Sequence, residues 1–193
     1  LRTFTSEIEQ VSVDECYMDF TSIASRYHSP VDGALEIKDG IKNRFGFTVN
    51  IGISTNKLLA KMASDFEKPD RIHTLFPEEI REKMWPLPIG ELYMAGRSSV
   101  ETLKKLEINT IGDLAQADLN LITLHLKSHG KMLWEFANGI GTAEVQSEPE
   151  QAKGIGNSTT LSEDAVSEEE VRAVFRELAA SVGNRLKKAG QKA

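Results

Sequence analysis

Two carboxylates stand side by side at Asp14-Glu15, inside a stretch otherwise suited to strands. Before them, Glu7 to Val13 supplies Ile8, Val11 and Val13. After them, Cys16 to Thr21 is rich in aromatic and β-favouring residues. Adjacent acids are poor strand formers, so the pair marks the tip of a hairpin. Their oxygens suit a hard cation, because Mg²⁺ takes one or two carboxylates and completes its shell with water and substrate phosphates. A plain polar turn could have the same composition, and the pair alone does not separate the two readings. Lysines follow further on. Lys57 and Lys61 lie one turn apart on a helix face, and Lys68 precedes Pro69. Lys57 reads equally well as an exposed lysine on a solvated face.

Other chemistries are poorly served. Cys16 is the single cysteine of 193 residues, which leaves no internal disulfide and no cysteine metal cluster. Within a strand it reads as a small core residue. His28, His73, His125 and His129 have no cysteines at ligand spacing; His125 and His129 are four apart but nothing nearby completes a zinc site. Trp85 and Trp134 sit in apolar helical contexts and read as core. Hydrophobic content is 40% and charged content 27%, ordinary for a soluble globular chain of one large domain or two to three small ones. No apolar run approaches the roughly 18 residues of a membrane span. No leader-like segment opens the sequence, and a cytoplasmic location is expected. Net charge is −6, and only residues 153–193, with 7 basic against 6 acidic groups, carry a basic excess. DNA binding therefore has to be argued from motifs, not from charge. The ends, Leu1 and a terminal Lys192-Ala193 just after a long helix, suggest a piece of a longer protein.

The positioning elements follow from pattern. Ser29-Pro30 caps a helix that Gly46 stops. Phe47 to Ile53 alternates as a strand with one buried face. Ser54-Thr55-Asn56 starts a helix whose stripe is Leu58, Leu59, Met62, Ala63 and Phe66. Arg71 to Phe76 is a short edge strand. Residues 7–76 thus read strand, strand, helix, strand, helix, strand: an α+β unit with a partial ferredoxin-like sheet, one strand short at its start. From Pro77 onward helices dominate: Pro77 to Trp85, Ser99 to Leu106, one from Ile111, one capped by Asp118, and Ser128 to Asn138. Thr142 to Lys153 is a polar, acidic linker. Gly154 to Leu161 reads as a threonine-rich strand. Ser167 to Lys188 is a long helix, with Ser167 and Glu170 as capping box and Val166 with Val171 as staple.

Ser12-Val13-Asp14-Glu15-Cys16-Tyr17-Met18-Asp19 resembles the Ser-x-Asp-Glu-x-Tyr-x-Asp signature of Y-family (lesion-bypass, UmuC/DinB-type) DNA polymerases. Asn50 to Pro69 resembles that family's Gly-Ile-Ser, Asn-Lys, Ala-Lys, Ala-Ser-Asp and Lys-Pro block. Leu106 to Ala115 is similar to its thumb helix-hairpin-helix, and Ile155 to Leu161 to the start of its little finger.

The resemblance implies a palm portion over residues 1–76, a helical thumb over 77–141, a linker over 142–152 and part of a little finger over 153–193. It implies translesion DNA polymerisation by two-metal nucleotidyl transfer. Asp14 and Glu15 would be two of three catalytic carboxylates, with the third on a first palm strand outside this sequence, as are the fingers. Two Mg²⁺ ions, deoxynucleoside triphosphates and primer-template DNA are the implied cofactors and partners, with a sliding clamp bound, if at all, through a region beyond these residues. Lys68 would contact the triphosphate and Lys61 would assist; Gly96 and Arg97 would approach DNA phosphates. Asp19, further along its strand, is expected to be structural. Asp70-Arg71 follows Lys-Pro where Asn-Gly or Asp-Gly is frequent. Met94 and Glu107 stand where the thumb pattern has glycines. The isolated chain is expected to be inactive. The competing class is a non-catalytic DNA-binding or partner-binding module on the same fold. Another palm-type nucleotidyl-transfer enzyme, such as a cyclase, fits the thumb and little-finger motifs poorly.

Overall fold

In a computed structural model, residues 1–148 and 154–191 are described, and they belong to two compact units, Leu1–Glu148 and Pro149–Ala193. The first unit opens with a hairpin of β1 (Ile8–Gln10) and β2 (Cys16–Met18), paired antiparallel as Ile8 with Met18, Glu9 with Tyr17 and Gln10 with Cys16. A 3₁₀ turn (Thr21–Arg26) leads to α1 (Pro30–Phe45), where the Ser29 hydroxyl accepts from the Asp32 amide and Gly46 ends the helix at φ 76°. Next come β3 (Ile51–Ile53), α2 (Lys57–Asp65, capped by Asn56) and β4 (Ile72–Thr74), with β4 parallel to β3.

The expected single sheet is instead two separate two-stranded sheets, β1 with β2 and β3 with β4. Strands persist only where a partner runs alongside, so Phe47 to Asn50 stays outside β3 although it alternates correctly. Cys16, expected in the core, is exposed on β2.

Beyond β4 the chain is helical. Pro77–Glu79 and Ile80–Met84 form a 3₁₀ and a π turn in place of one regular helix. After a 3₁₀ turn at Ile89–Glu91 come α3 (Arg97–Lys105), α4 (Ile111–Gln116) and α5 (Leu119–Ala137). Lys127, at φ 54° and ψ −139°, interrupts α5, which separates a stretch capped by Asp118 from one restarting at Ser128, as the pattern anticipated. One hydrophobic core joins α2 to these helices: Leu58, Leu59, Met62 and Ala63 pack with Leu75, Met84, Leu103, Ile111, Leu114, Ile122 and Leu133. Trp85 and Trp134 lie against it, and each donates its indole N–H to a backbone carbonyl, Ala137 and Ala117 respectively.

In the second unit α6 (Glu168–Lys188) begins at Ser167, whose hydroxyl accepts from the Glu170 amide. The Glu170 carboxylate reaches one residue further back than a capping box requires, to the Val166 amide. Val166 is 88% exposed, so the expected staple does not form. Gly154 to Leu161 is not a strand; it is irregular, and Asn157 to Thr159 lie along α6 beside Val174 and Leu178. A threonine-rich segment becomes a strand only with a ladder partner, and among the described residues it has none.

Candidate active site

The loop between β1 and β2 is organised by Ser12. Its hydroxyl donates to Asp14 Oδ1 at 2.6 Å and accepts from the Glu15 amide at 3.1 Å, while the Val11 and Ser12 amides both donate to the Glu15 carbonyl. These local bonds hold the two acids in a defined turn, with both side chains exposed.

Across from the hairpin, α2 presents its cationic face. Its apolar stripe sits in the core, so Lys57 and Lys61, four apart, emerge together on the other side. Lys61 Nζ meets Glu15 Oε1 at 2.6 Å and Asp65 Oδ2 at 3.3 Å. Lys68 Nζ meets Asp65 Oδ1 at 2.7 Å. Burial works against the Lys61 charge, but its bonds to Glu15 and Asp65 outweigh that and hold its pKa above the ordinary lysine value. Burial pushes the Asp65 carboxyl up, and Lys68 and Lys61 together bring it below the usual range. Asp14, Glu15, Lys61, Asp65 and Lys68 all line one open cleft of about 860 Å³. β2 and β3 both line it too, as do Ile37 and Ile41 of α1, so the cleft separates the two sheets.

Lys57 is not on a solvated face. It bonds both Glu9 oxygens, at 2.8 and 3.1 Å, and lies 5.7 Å from the Tyr17 ring centroid. Burial pushes Glu9 up, but the Gln146 amide and Lys57 bring it below the usual range. Burial, with Tyr93 nearby, pushes the Tyr17 phenol up to about 12. Asp19 accepts the Thr21 amide at 2.8 Å, a local bond just ahead of the 3₁₀ turn.

Gly96 and Arg97 lie apart from this cleft. Gly96 precedes α3 without a side-chain cap, and Arg97, 93% exposed, bonds Glu101 at 3.0 Å. Met94 and Glu107, where glycines were expected, both adopt left-handed backbone, at φ 67° and 62°.

Reading the residues one by one missed Glu9, Asp65 and Asp70. Asp65 could have been found, since it is four residues after Lys61 and three before Lys68 on helical spacing. Glu9 and Asp70 had no local signal, because Lys57 and Lys38 reach them from 48 and 32 residues away. The carboxylates offer hard oxygen donors, the set Mg²⁺ prefers. Among the described residues no group of three or more His, Cys, Asp or Glu converges on a point that could hold a metal ion.

Residues 1–65 match the impB/mucB/samB family, and residues 152–193 match that family's C-terminal domain. The chain is 48% identical over 191 residues to DNA polymerase IV of Clostridium acetobutylicum, an alignment covering 99% of the chain and 48% of that protein. It is 44% identical over 192 residues to DNA polymerase IV 1 of Bacillus subtilis, covering 97% and 45%. The chain thus spans about half the length of the curated relatives it matches. Among solved structures, DinB from Sulfolobus solfataricus aligns with a TM-score of 0.68 at 25% identity, over 76% of this chain and 43% of that one. An insertion ternary complex of Dbh DNA polymerase aligns at 0.65 and 27%, over 75% and 43%. A Y-family polymerase chimera of Dbh and Dpo4 aligns at 0.77 over 95% of this chain and 53% of that one; at 24% identity it speaks for the fold alone. The chain belongs to the impB/mucB/samB family, the family of the Y-family, DinB-type polymerases.

Proposed function

We propose that the protein this chain forms part of is a translesion DNA polymerase, adding deoxynucleotides opposite damaged template. The observation that carries the reading is one cleft in which the Asp14-Glu15 tip faces the lysines of α2 and the Lys68 turn. Residues 1–76 act as palm, 77–141 as a thumb whose α3 and α4 form a helix-hairpin-helix, and 153–193 as the start of a little finger. Asp14 and Glu15 would hold the metal. Two Mg²⁺ ions bound there would activate the primer 3′-hydroxyl and stabilise the leaving pyrophosphate. Lys61, paired here with Glu15, would with Lys68 neutralise the triphosphate; both lysines already stand on Asp65. Gly96 and Arg97, at an uncapped helix start, approach DNA phosphates. Primer-template DNA and deoxynucleoside triphosphates are the partners, and a sliding clamp would bind elsewhere.

The test is primer extension by the intact gene product carrying Asp14→Ala or Glu15→Ala. Loss of at least 100-fold in rate is expected, on the order of what displacing a catalytic group costs. Extension close to the unmutated rate would sink the metal-ligand roles. A second reading applies to the 193-residue chain by itself, and the absence of a third converging ligand among the described residues favours it. Alone, the chain is a non-catalytic module; nucleotide incorporation by it would refute this.

A further inference from the structure

The turn that carries Lys68 is held from outside the cleft. Asp70, two residues on, adopts left-handed backbone at φ 61°. Its carboxylate takes Lys38 Nζ on Oδ1 at 3.1 Å and Lys42 Nζ on Oδ2 at 2.6 Å. Lys38 and Lys42 are one turn apart on α1, so one carboxylate bridges two rungs of that helix. The neighbouring Arg71 amide donates to Asn50 Oδ1 at 3.1 Å, and the Arg71 carbonyl accepts from the Ile51 amide at 2.9 Å. Lys38 is 13% exposed, and its Nζ also meets the exposed Asp39 at 3.3 Å, a longer contact than that to Asp70. The bonds from Lys42 and Lys38 hold Asp70 below the usual carboxylate range.

We infer that Lys38, Lys42 and Asp70 form an ionic clamp that positions Lys68 for the incoming triphosphate, an assignment resting on the polymerase reading above. α1 is already fixed by its apolar face, with Ala34 and Ile37 buried. The clamp ties the Glu67–Arg71 turn to that fixed element. Lys68 can then swing from Asp65 to phosphate by side-chain rotation, without the backbone wandering.

The experiment uses the intact gene product with Lys38→Met/Lys42→Met and, separately, Asp70→Asn. Amide hydrogen exchange over residues 67–71 is measured beside steady-state single-nucleotide insertion, with Asp70→Glu as the conservative variant. Expected are faster exchange confined to that turn and a KM for the nucleotide raised roughly tenfold, with kcat within about twofold. Asp70→Glu should recover part of the KM. Unchanged exchange overturns the clamp. Faster exchange with an unchanged KM, or a fall in kcat alone, overturns the positioning role. Lys68→Ala separates this from the parent reading: if it leaves KM untouched, Lys68 does not meet the triphosphate and the inference falls with it.

Discussion

Gly52→Ala tests whether β3 and α2 touch backbone to backbone beneath the candidate site. A Cβ at Gly52 falls 1.8 Å from the Ala60 carbonyl oxygen and 2.5 Å from the Ser64 amide nitrogen. Nonbonded contacts of this kind need well over 3 Å, so α2 must retreat by more than about 1 Å. It cannot retreat freely, because Leu59 and Ala63 on its other side have no exposed surface. Overpacking against rigid backbone costs about 3 kcal/mol. For a unit of this size that lowers the melting temperature by roughly 6–12 °C. The retreat also draws Lys61 off Glu15 and Lys57 off Glu9, now 2.6 and 2.8 Å apart, so the cleft loosens as stability drops. Thermal unfolding followed by circular dichroism reads the effect. Gly40→Ala is the control: a Cβ there meets nothing within 4 Å, and the site lies inside α1, so it should stabilise by about 0.5–1 kcal/mol. A loss below about 1 kcal/mol for Gly52→Ala would refute the reasoning.

Asn56→Ala removes both the α2 cap, an Oδ1 accepting from the Leu59 amide at 2.9 Å, and an Nδ2 bond to the Gly139 carbonyl at 3.0 Å. Urea unfolding should show a loss of about 2 kcal/mol. Met94→Gly and Glu107→Gly relieve left-handed backbone at residues that carry a Cβ. Each should stabilise by about 1 kcal/mol in thermal unfolding, and a neutral result would mean neither position is strained. Asp65, Asp70 and Asp113 sit below their ordinary value of 3.8, and Glu9 and Glu79 below 4.5. A depressed carboxyl stabilises the fold above its unfolded pKa, because the unfolded chain binds the proton more readily. From these groups stability should be level near neutrality and fall as pH drops below about 4.5; urea midpoints across that range that stay flat would contradict the ion pairs.

The helix boundaries were legible because their signals are local. Ser29-Pro30, Gly46, Asp118 and Ser167 each act within one turn and the structure uses every one, while of Ser54-Thr55-Asn56 it takes Asn56 as the cap. The acid pair and the lysines of α2 were legible as residues, and their meeting was not. Glu15 pairs with Lys61 across 46 residues, and no spacing rule reaches that far. Strands fared worst for the same reason. Phe47 to Asn50 and Gly154 to Leu161 have the right composition, but a strand is completed by its neighbour. Val166 with Val171 shows the reverse failure: a correct local motif left unused, its first member standing in water.

Because α2 has the core on one face and the hairpin's acids on the other, the two attachments differ in stiffness. The apolar side is a close-packed solid that resists displacement. The hairpin side is a seam of ion pairs, Glu9 with Lys57 and Glu15 with Lys61, partly exposed and worth on the order of 0.5–1 kcal/mol apiece. Under load the seam yields before the core does. The acid-tipped hairpin is therefore the side on which α2 is held most weakly, by two ion pairs and the Lys57 contact with the Tyr17 ring.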